Sequence, residues 1–398
     1  MKYRSIYIYI FIASFYFFCI GLLQAPYLND KVSVFVHLTE HYATDGGVVA
    51  HGVICRDVQN GYKATALPTW AEEPPLAHYL FSLVRKVFPE HYPRVGAALL
   101  TWMSVLFLLI VLHQLNILQP ATGLLVITAP IFSIHVTRAL PDHLVLLFMS
   151  AAAWALVRKK YIFVYILLFL ACLTKATALA SSVALLSAMI FFIPMQKRKC
   201  KARAIVRFVV GSFLLGLPFL CWLLFLKHGQ IKNPFFTDSI NLQRHLGDAK
   251  ASLQVFTLRY WGRYWLWTSH RGVGDFLFAA AVWVSLKKVH HSLYIALLLA
   301  VVSGVLFWMV AVTNFIHPWY TFPFVPAWVV LGAYGLDRFV KFLRESIGVR
   351  PTSFLNALLI IWTTVSTLSL SGLLRPQLSL LTQYAAVSNT PSLLECPK

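Results

Sequence analysis

Long apolar runs dominate this sequence and restrict it to a membrane fold. A helix needs about 20 mostly apolar residues to cross a bilayer. This length predicts about eleven transmembrane segments, at residues 5–24, 95–117, 121–138, 141–157, 161–174, 176–194, 206–226, 272–286, 292–312, 319–337 and 352–372. Only 12% of the residues are charged, whereas a soluble domain carries about 25%. The expected fold is therefore an all-α polytopic membrane protein whose surface is solvated mostly by lipid.

The basic residues predict the orientation of these segments. With the N-terminus in the cytoplasm, the strongly basic short loops all fall on the cytoplasmic side, at residues 158–160, 197–201, 287–288 and 338–350. This is the positive-inside pattern. It explains the net charge of +20 without a nucleic-acid partner, and we expect none. We interpret the first apolar run as a retained signal anchor and expect an integral protein of the cytoplasmic (inner or plasma) membrane.

Two large outer loops carry most of the remaining polar sequence. The first, at 25–94, holds seven of the fourteen acids, namely Asp30, Glu40, Asp45, Asp57, Glu72, Glu73 and Glu90. The second, at 227–271, contains a tryptophan-rich stretch typical of a membrane interface. Carboxylates against a bilayer are costly to keep without a task. We expect residues 1–374 to form one transmembrane catalytic module and 375–398 to form a short non-cytoplasmic tail.

Outer carboxylates suit group transfer from a lipid carrier. Because no nucleotide supplies energy at the outer face, an activated sugar has to arrive on a membrane lipid. Its transfer needs a carboxylate that accepts a proton from the acceptor and a cation that balances the departing phosphate. It also needs an apolar groove for the lipid tail. Topology does not require the basic residues of the outer loops, so these are candidates for holding the anion: Lys63, Arg85, Lys86, Arg94, Arg259 and Arg263.

The order of several short motifs resembles the GT-C membrane glycosyltransferases. Asp45 leads to Arg56 and Gly61, and then to Glu72-Glu73-Pro74-Pro75-Leu76, with Arg94-Val95-Gly96 opening the next helix. Leu140-Pro141-Asp142, Leu173-Thr174-Lys175 and the segment 319–326 also fit. The subgroup that the chain resembles is the family 39 type, which includes the protein O-mannosyltransferases and the aminoarabinose transferases. The resemblance covers about residues 45–330.

The resemblance implies an activity and a set of site residues. The activity is inverting transfer of a sugar from a polyprenyl-phosphate donor to a lipid, glycan or protein acceptor on the non-cytoplasmic face. Asp45 would be the catalytic base, with Asp30 as its competitor. The implied substrate-binding residues are Glu72, Asp142, Lys175, Arg56, Arg94, Arg259, Arg263 and Tyr320. Many relatives have lysine where this chain has Glu73, so the cation that meets the donor phosphate stays open.

Ordinary structural roles compete with several of these assignments. Asp142 stands at a predicted helix start, where the helix dipole favours an acid. Lys175 near a helix end can extend its ammonium to the membrane surface, and Tyr320 can anchor a helix at the interface. His37, His41 and Asp45 would share one face of a helix, so a divalent metal held with Glu72 is an alternative. We predict no metal ligand and leave the cofactor open.

Other functions fit the same membrane layout. A transporter or flippase for a lipid-linked sugar would share the basic outer cavity, but such folds carry internal repeats and midplane charges, which this sequence lacks. A glycan polymerase or ligase uses similar donor chemistry and stays open. A structural membrane subunit would have no use for the acid-Pro-Pro-Leu arrangement.

Overall fold

The computed structural model is mostly helical. It describes residues 2–23, 35–36, 39–40, 42–43, 50–57, 61–70, 74–118, 120–128, 132, 140–175, 178–192, 198–228 and 322–347. Within these ranges the helices are α1 (Lys2–Leu23), α2 (Leu76–Val87), α3 (Tyr92–Gln114), α4 (Pro120–Thr128), α5 (Asp142–Val157), α6 (Tyr161–Thr174), α7 (Ala178–Phe192), α8 (Arg198–His228) and α9 (Val325–Ile347). Two strands, β1 (Ala50–Asp57) and β2 (Gly61–Trp70), lie between α1 and α2.

Every one of these helices except α2 overlaps a transmembrane segment predicted from the sequence. In the described part of the chain, α3 and residues Ile205–Phe225 of α8 are long and apolar enough to cross a membrane, while α5 and α6 are shorter apolar helices. The predicted segments at 272–286, 292–312 and 352–372 lie outside the described residues. The helical fold is therefore confirmed, and the total of eleven segments stays a prediction.

The first outer loop departs from the all-α prediction, because it contains an antiparallel hairpin. β1 pairs with β2 so that Asp57 lies opposite Gly61 and Arg56 lies opposite Tyr62. The β-branched pair at 53–54 favours a strand, and the asparagine–glycine step that leads into β2 favours a tight reversal. These local signals favour a hairpin in a protein whose other described elements are helices.

Helix α5 forms the centre of the described bundle. It packs against α3, α6, α7 and α9, while α1 covers another side of α3. Nearly all of its side chains are buried, as expected of a helix that is apolar around its whole circumference. The small residues at 150–153 let neighbouring helices approach closely. The exposed apolar side chains of α1, α6 and α8 give the bundle an apolar outer surface suited to lipid.

A tight turn makes α5 and α6 antiparallel neighbours. Lys159 adopts the left-handed conformation with φ 57°, and the Lys160 amide donates to the Ala155 carbonyl at 2.8 Å. This closure ends α5 and turns the chain back on itself. As a result, Asp142 and Lys175 lie at one end of the two helices, and the basic turn 158–160 lies at the other. We call the first of these the Asp142 end.

A close approach between α2 and α3 gives a stability prediction. A Cβ at Gly96 would lie 2.7 Å from Cε1 and 2.9 Å from Cδ1 of Phe81, and the Phe81 ring is fully buried. Gly96→Ala is therefore expected to lower the free energy of unfolding by about 1–3 kcal/mol, the usual cost of overpacking a core. Thermal denaturation of the detergent-purified protein measures it.

Gly216→Ala is the matched control. Nothing lies within 4 Å of a Cβ at Gly216 in α8, so alanine there should stabilise the helix by about 0.5–1 kcal/mol. Equal melting temperatures for the two variants would contradict the tight α2–α3 contact.

Candidate active site

A buried ion pair joins the start of α5 to the end of α6. The Lys175 ammonium nitrogen lies 2.8 Å from Oδ2 of Asp142, and the side chains are only 4% and 0% exposed. The two residues are 33 positions apart, and the antiparallel turn between α5 and α6 brings them together. Burying such an ion pair costs desolvation free energy, which is offset only when the two groups lie in good hydrogen-bonding geometry.

The helix dipoles of α5 and α6 stabilise the charges of Asp142 and Lys175 at these helix ends. Asp142 is in the first turn of α5, where the helix dipole stabilises an anion. Lys175 is the C-terminal cap of α6, in an extended conformation, and its amide donates to the Ala171 carbonyl at 3.0 Å. A cation at a helix C-terminus is favoured for the complementary reason. The pair is thus stabilised by its own attraction and by both helix ends.

A buried histidine connects this pair to two further elements. His143, directly after Asp142, is fully buried, and its Nδ1 lies 3.0 Å from the hydroxyl of Thr101 in α3. Its ring contacts Phe322 edge-on, with centroids 5.3 Å apart. Phe322 begins the short turn that leads into α9. At the Asp142 end, side chains from α3, α5, the α6–α7 turn and the chain that enters α9 are therefore in contact.

A second histidine lies in the first outer loop, where the helical turns at 35–36, 39–40 and 42–43 pack on α2. We call these turns together with α2 the clasp. His78 Nδ1 lies 3.0 Å from the hydroxyl of Thr39, and the His78 ring stacks on Phe35 at 4.5 Å between centroids. Phe35 also meets Phe81 edge-on at 5.1 Å. These side chains are buried, and Phe35 and Phe81 belong to the same apolar core as the bundle helices.

Polar contacts surround the buried side chains of the clasp. Arg85 pairs with Glu40 at 2.6 Å, with both side chains about one third exposed, and the Tyr92 hydroxyl donates to the Val36 carbonyl at 3.4 Å. An ion pair with this much exposure contributes little stability, so the buried aromatic and threonine–histidine contacts carry most of the packing. Through Tyr92 and the Phe81–Gly96 contact, the clasp is fixed to the start of α3.

The structure describes some of the predicted site residues and leaves others outside its described ranges. Asp142 and Lys175 are brought into direct contact. Arg56 lies on β1, and Arg94 lies half-buried in the first turn of α3. The remaining predicted residues lie outside the described ranges: Asp45, Glu72, Arg259, Arg263 and Tyr320, together with the alternatives Asp30, His37 and His41.

The threonine–histidine pairs are not evident from the sequence. Thr39 and His78 are 39 positions apart, and Thr101 and His143 are 42 apart, so nothing local marks them as partners. The one available signal was a histidine directly after Asp142 in an otherwise apolar helix. Among the residues that the structure describes, no three His, Cys, Asp or Glu side chains form a group that could hold a metal ion.

Comparison with solved structures identifies the fold of this chain. The fold matches the crystal structure of ArnT from Cupriavidus metallidurans bound to undecaprenyl phosphate, with a TM-score of 0.55 and 14% identity over 96% of this chain and 75% of that one. The chain has the ArnT fold. The apo structure of the same protein matches with a TM-score of 0.54 and 14% identity, over 97% of this chain and 72% of that one.

The ArnT match confirms the fold expected from the GT-C resemblance. No protein-family model matches the chain, and no curated protein sequence matches it significantly. At 14% identity the likeness establishes the shared architecture. The part of the ArnT structures that aligns with this chain covers about three quarters of their length, and the ArnT chains extend beyond it.

Proposed function

We propose that the protein is an inverting glycosyltransferase that moves a sugar from a polyprenyl-phosphate donor to an acceptor on the non-cytoplasmic membrane face. The observation that carries the proposal is the ArnT fold, shared over nearly the whole chain with a protein whose crystal structure holds undecaprenyl phosphate. The acidic first outer loop and the charged Asp142 end support it independently. The acceptor is a lipid, a glycan or a protein.

Asp45 is the proposed base in this reaction. Its carboxylate accepts the proton of the acceptor nucleophile as the new glycosidic bond forms, while the bond from the sugar to the donor phosphate breaks. Attack opposite the leaving phosphate inverts the anomeric centre. Glu72, which precedes Pro74-Pro75 in the sequence, is proposed to position the acceptor. The proline pair favours an extended chain there.

The cations that meet the donor phosphate are proposed to be arginines. Because Lys175 lies 2.8 Å from the carboxylate of Asp142, its charge is already largely balanced. The phosphate therefore needs other positive groups, for which Arg56, Arg94, Arg259 and Arg263 are the candidates, with the Tyr320 hydroxyl as a further donor. Arginine suits this task because its planar guanidinium can bind phosphate through two hydrogen bonds.

The isoprenyl chain of the donor needs an apolar binding groove near the Asp142 end of the bundle. A small apolar crevice lies between α5, α7 and the start of α9, lined by Met149, Ala153, Ser181, Leu185, Pro323, Pro326 and Ala327. Met149 is seven residues beyond Asp142, which corresponds to about 10 Å along the helix axis. The crevice has room for about one water molecule, so it is a packing gap beside α5 and is too small for an isoprenyl chain.

A transfer assay tests the proposal. Membranes that contain the protein are incubated with radiolabelled polyprenyl-phosphate hexoses and pentoses, and membranes that lack it serve as the control. We expect label to leave the polyprenyl-phosphate fraction and appear in an acceptor only when the protein is present. If the intact labelled donor instead crosses the bilayer with no label transferred, the protein is a flippase and the proposal is wrong.

A further inference from the structure

In the sequence, the two carboxylates that the proposed reaction uses lie between the two parts of the clasp. Asp45 follows Glu40 of the clasp by five residues, and Glu72 precedes Pro74, at the entry to α2, by two. An extended chain spans at most about 3.3–3.6 Å per residue. The Cα atom of Asp45 is therefore tethered within about 18 Å of Glu40, and that of Glu72 within about 7 Å of Pro74.

The Thr39 hydroxyl lies within hydrogen-bond distance of two groups. Its oxygen is 2.8 Å from the Phe35 carbonyl and 3.0 Å from Nδ1 of His78. When Nδ1 carries a proton it donates to the threonine oxygen, and when it does not the hydroxyl donates to Nδ1. In either tautomer the bond links the turn at 39–40 to α2.

Buried packing holds this bond in one place. Thr39 is fully buried and His78 is 6% exposed, with the histidine ring stacked on Phe35. Phe35 contacts Phe81, which lies against Gly96 of α3. A shift of the turn at 39–40 along α2 would break the bond and separate the rings, so this turn has one register on α2.

We propose that Thr39 and His78 are positioning residues that set the separation between Asp45 and Glu72. The inference rests on the glycosyl transfer proposed above. The threonine–histidine bond fixes the chain that leads into Asp45 against the helix that follows Glu72, and the contact with Gly96 fixes both to the membrane bundle. In this proposal the fixed clasp limits how far apart the base and the acceptor-binding carboxylate can lie.

Thr39→Val tests this role, because it keeps the shape of the side chain and removes the hydroxyl. A displacement of about 1 Å at a reacting group can lower turnover about 10²-fold, and we expect kcat of the full-length protein to fall by this order. Affinity for undecaprenyl phosphate alone should not change, since the phosphate is proposed to bind elsewhere. Thr39→Ser, which keeps the hydroxyl, should restore turnover.

Two further variants separate positioning from folding. His78→Leu removes the same bond from the other side, and the double variant Thr39→Val/His78→Leu should lose no more turnover than either single one. The matched control is Ser104→Ala, which removes another buried hydroxyl bonded to a carbonyl of its own helix, at 2.7 Å. Ser104 lies outside the clasp and the proposed site, so this variant should turn over like the wild type.

Each outcome of this experiment decides something. Normal kcat for Thr39→Val, in a wild-type protein that transfers sugar, overturns the positioning role and leaves the proposed function standing. Loss of activity in proportion to loss of folded protein, without rescue by Thr39→Ser, shows that the clasp only stabilises the fold. If the wild type transfers no sugar from any polyprenyl-phosphate donor, the proposed function is wrong and the positioning role is wrong with it.

Discussion

Asp45→Asn is expected to lower the rate of sugar transfer about 10³-fold, within the usual contribution of a general base. The amide has nearly the size of the carboxylate, but it cannot accept the proton of the acceptor nucleophile. Asp45 precedes a Gly-Gly step in the first outer loop, so the substitution should not disturb helix packing. Initial rates are measured on wild type and variant purified to the same folded fraction.

Asp30→Asn is the control for this prediction. Asp30 is an outer-loop acid that follows the first helix, and in the proposed mechanism it has no part in the chemistry. Its variant should therefore retain transfer close to the wild-type rate. If Asp30→Asn is inactive and Asp45→Asn is active, the base is Asp30, and the assignment of Asp45 is wrong.

Lys175→Met is expected to destabilise the protein by about 3–5 kcal/mol, the usual cost of breaking a buried ion pair. Methionine fills much the same volume, but it removes the ammonium that neutralises a carboxylate with 0% exposure. The double variant Asp142→Leu/Lys175→Met buries no charge at this position, so most of the stability should return. Thermal denaturation of the three proteins measures the difference.

The same double variant separates stability from activity at the Asp142 end. If the pair also binds substrate, as the GT-C resemblance implies, Asp142→Leu/Lys175→Met should be stable and still slow in transfer. A double variant that is both stable and fully active would show that the pair is only structural. A Lys175→Met protein as stable as the wild type would contradict the buried geometry itself.

The sequence predicted most of the described bundle, because hydrophobic run length is a strong signal. The helices α3, α5 and α6 begin and end within a few residues of the predicted segments. The sequence does not predict the hairpin β1–β2. Its strands span only 8 and 10 residues and lie in an acidic loop, so their β propensity is a weak signal beside the long apolar runs.

The geometry of the site was less accessible from the sequence. The sequence identifies Asp142 and Lys175 separately as helix-end residues. The predicted antiparallel segments 141–157 and 161–174 imply that the start of one lies beside the end of the other, so the sequence is also sufficient to predict this contact. The clasp cannot be predicted in this way, because contacts such as Phe35–Phe81 depend on how an outer loop folds back on α2.

Product analysis with the wild-type protein in proteoliposomes tests the central claim most directly. The donor is labelled in its sugar, and both the label and free undecaprenyl phosphate are followed over time. We predict that one molecule of free undecaprenyl phosphate appears for each labelled sugar that reaches the acceptor, with the anomeric configuration inverted. Label that stays on the polyprenyl phosphate while the donor moves between leaflets would contradict the account.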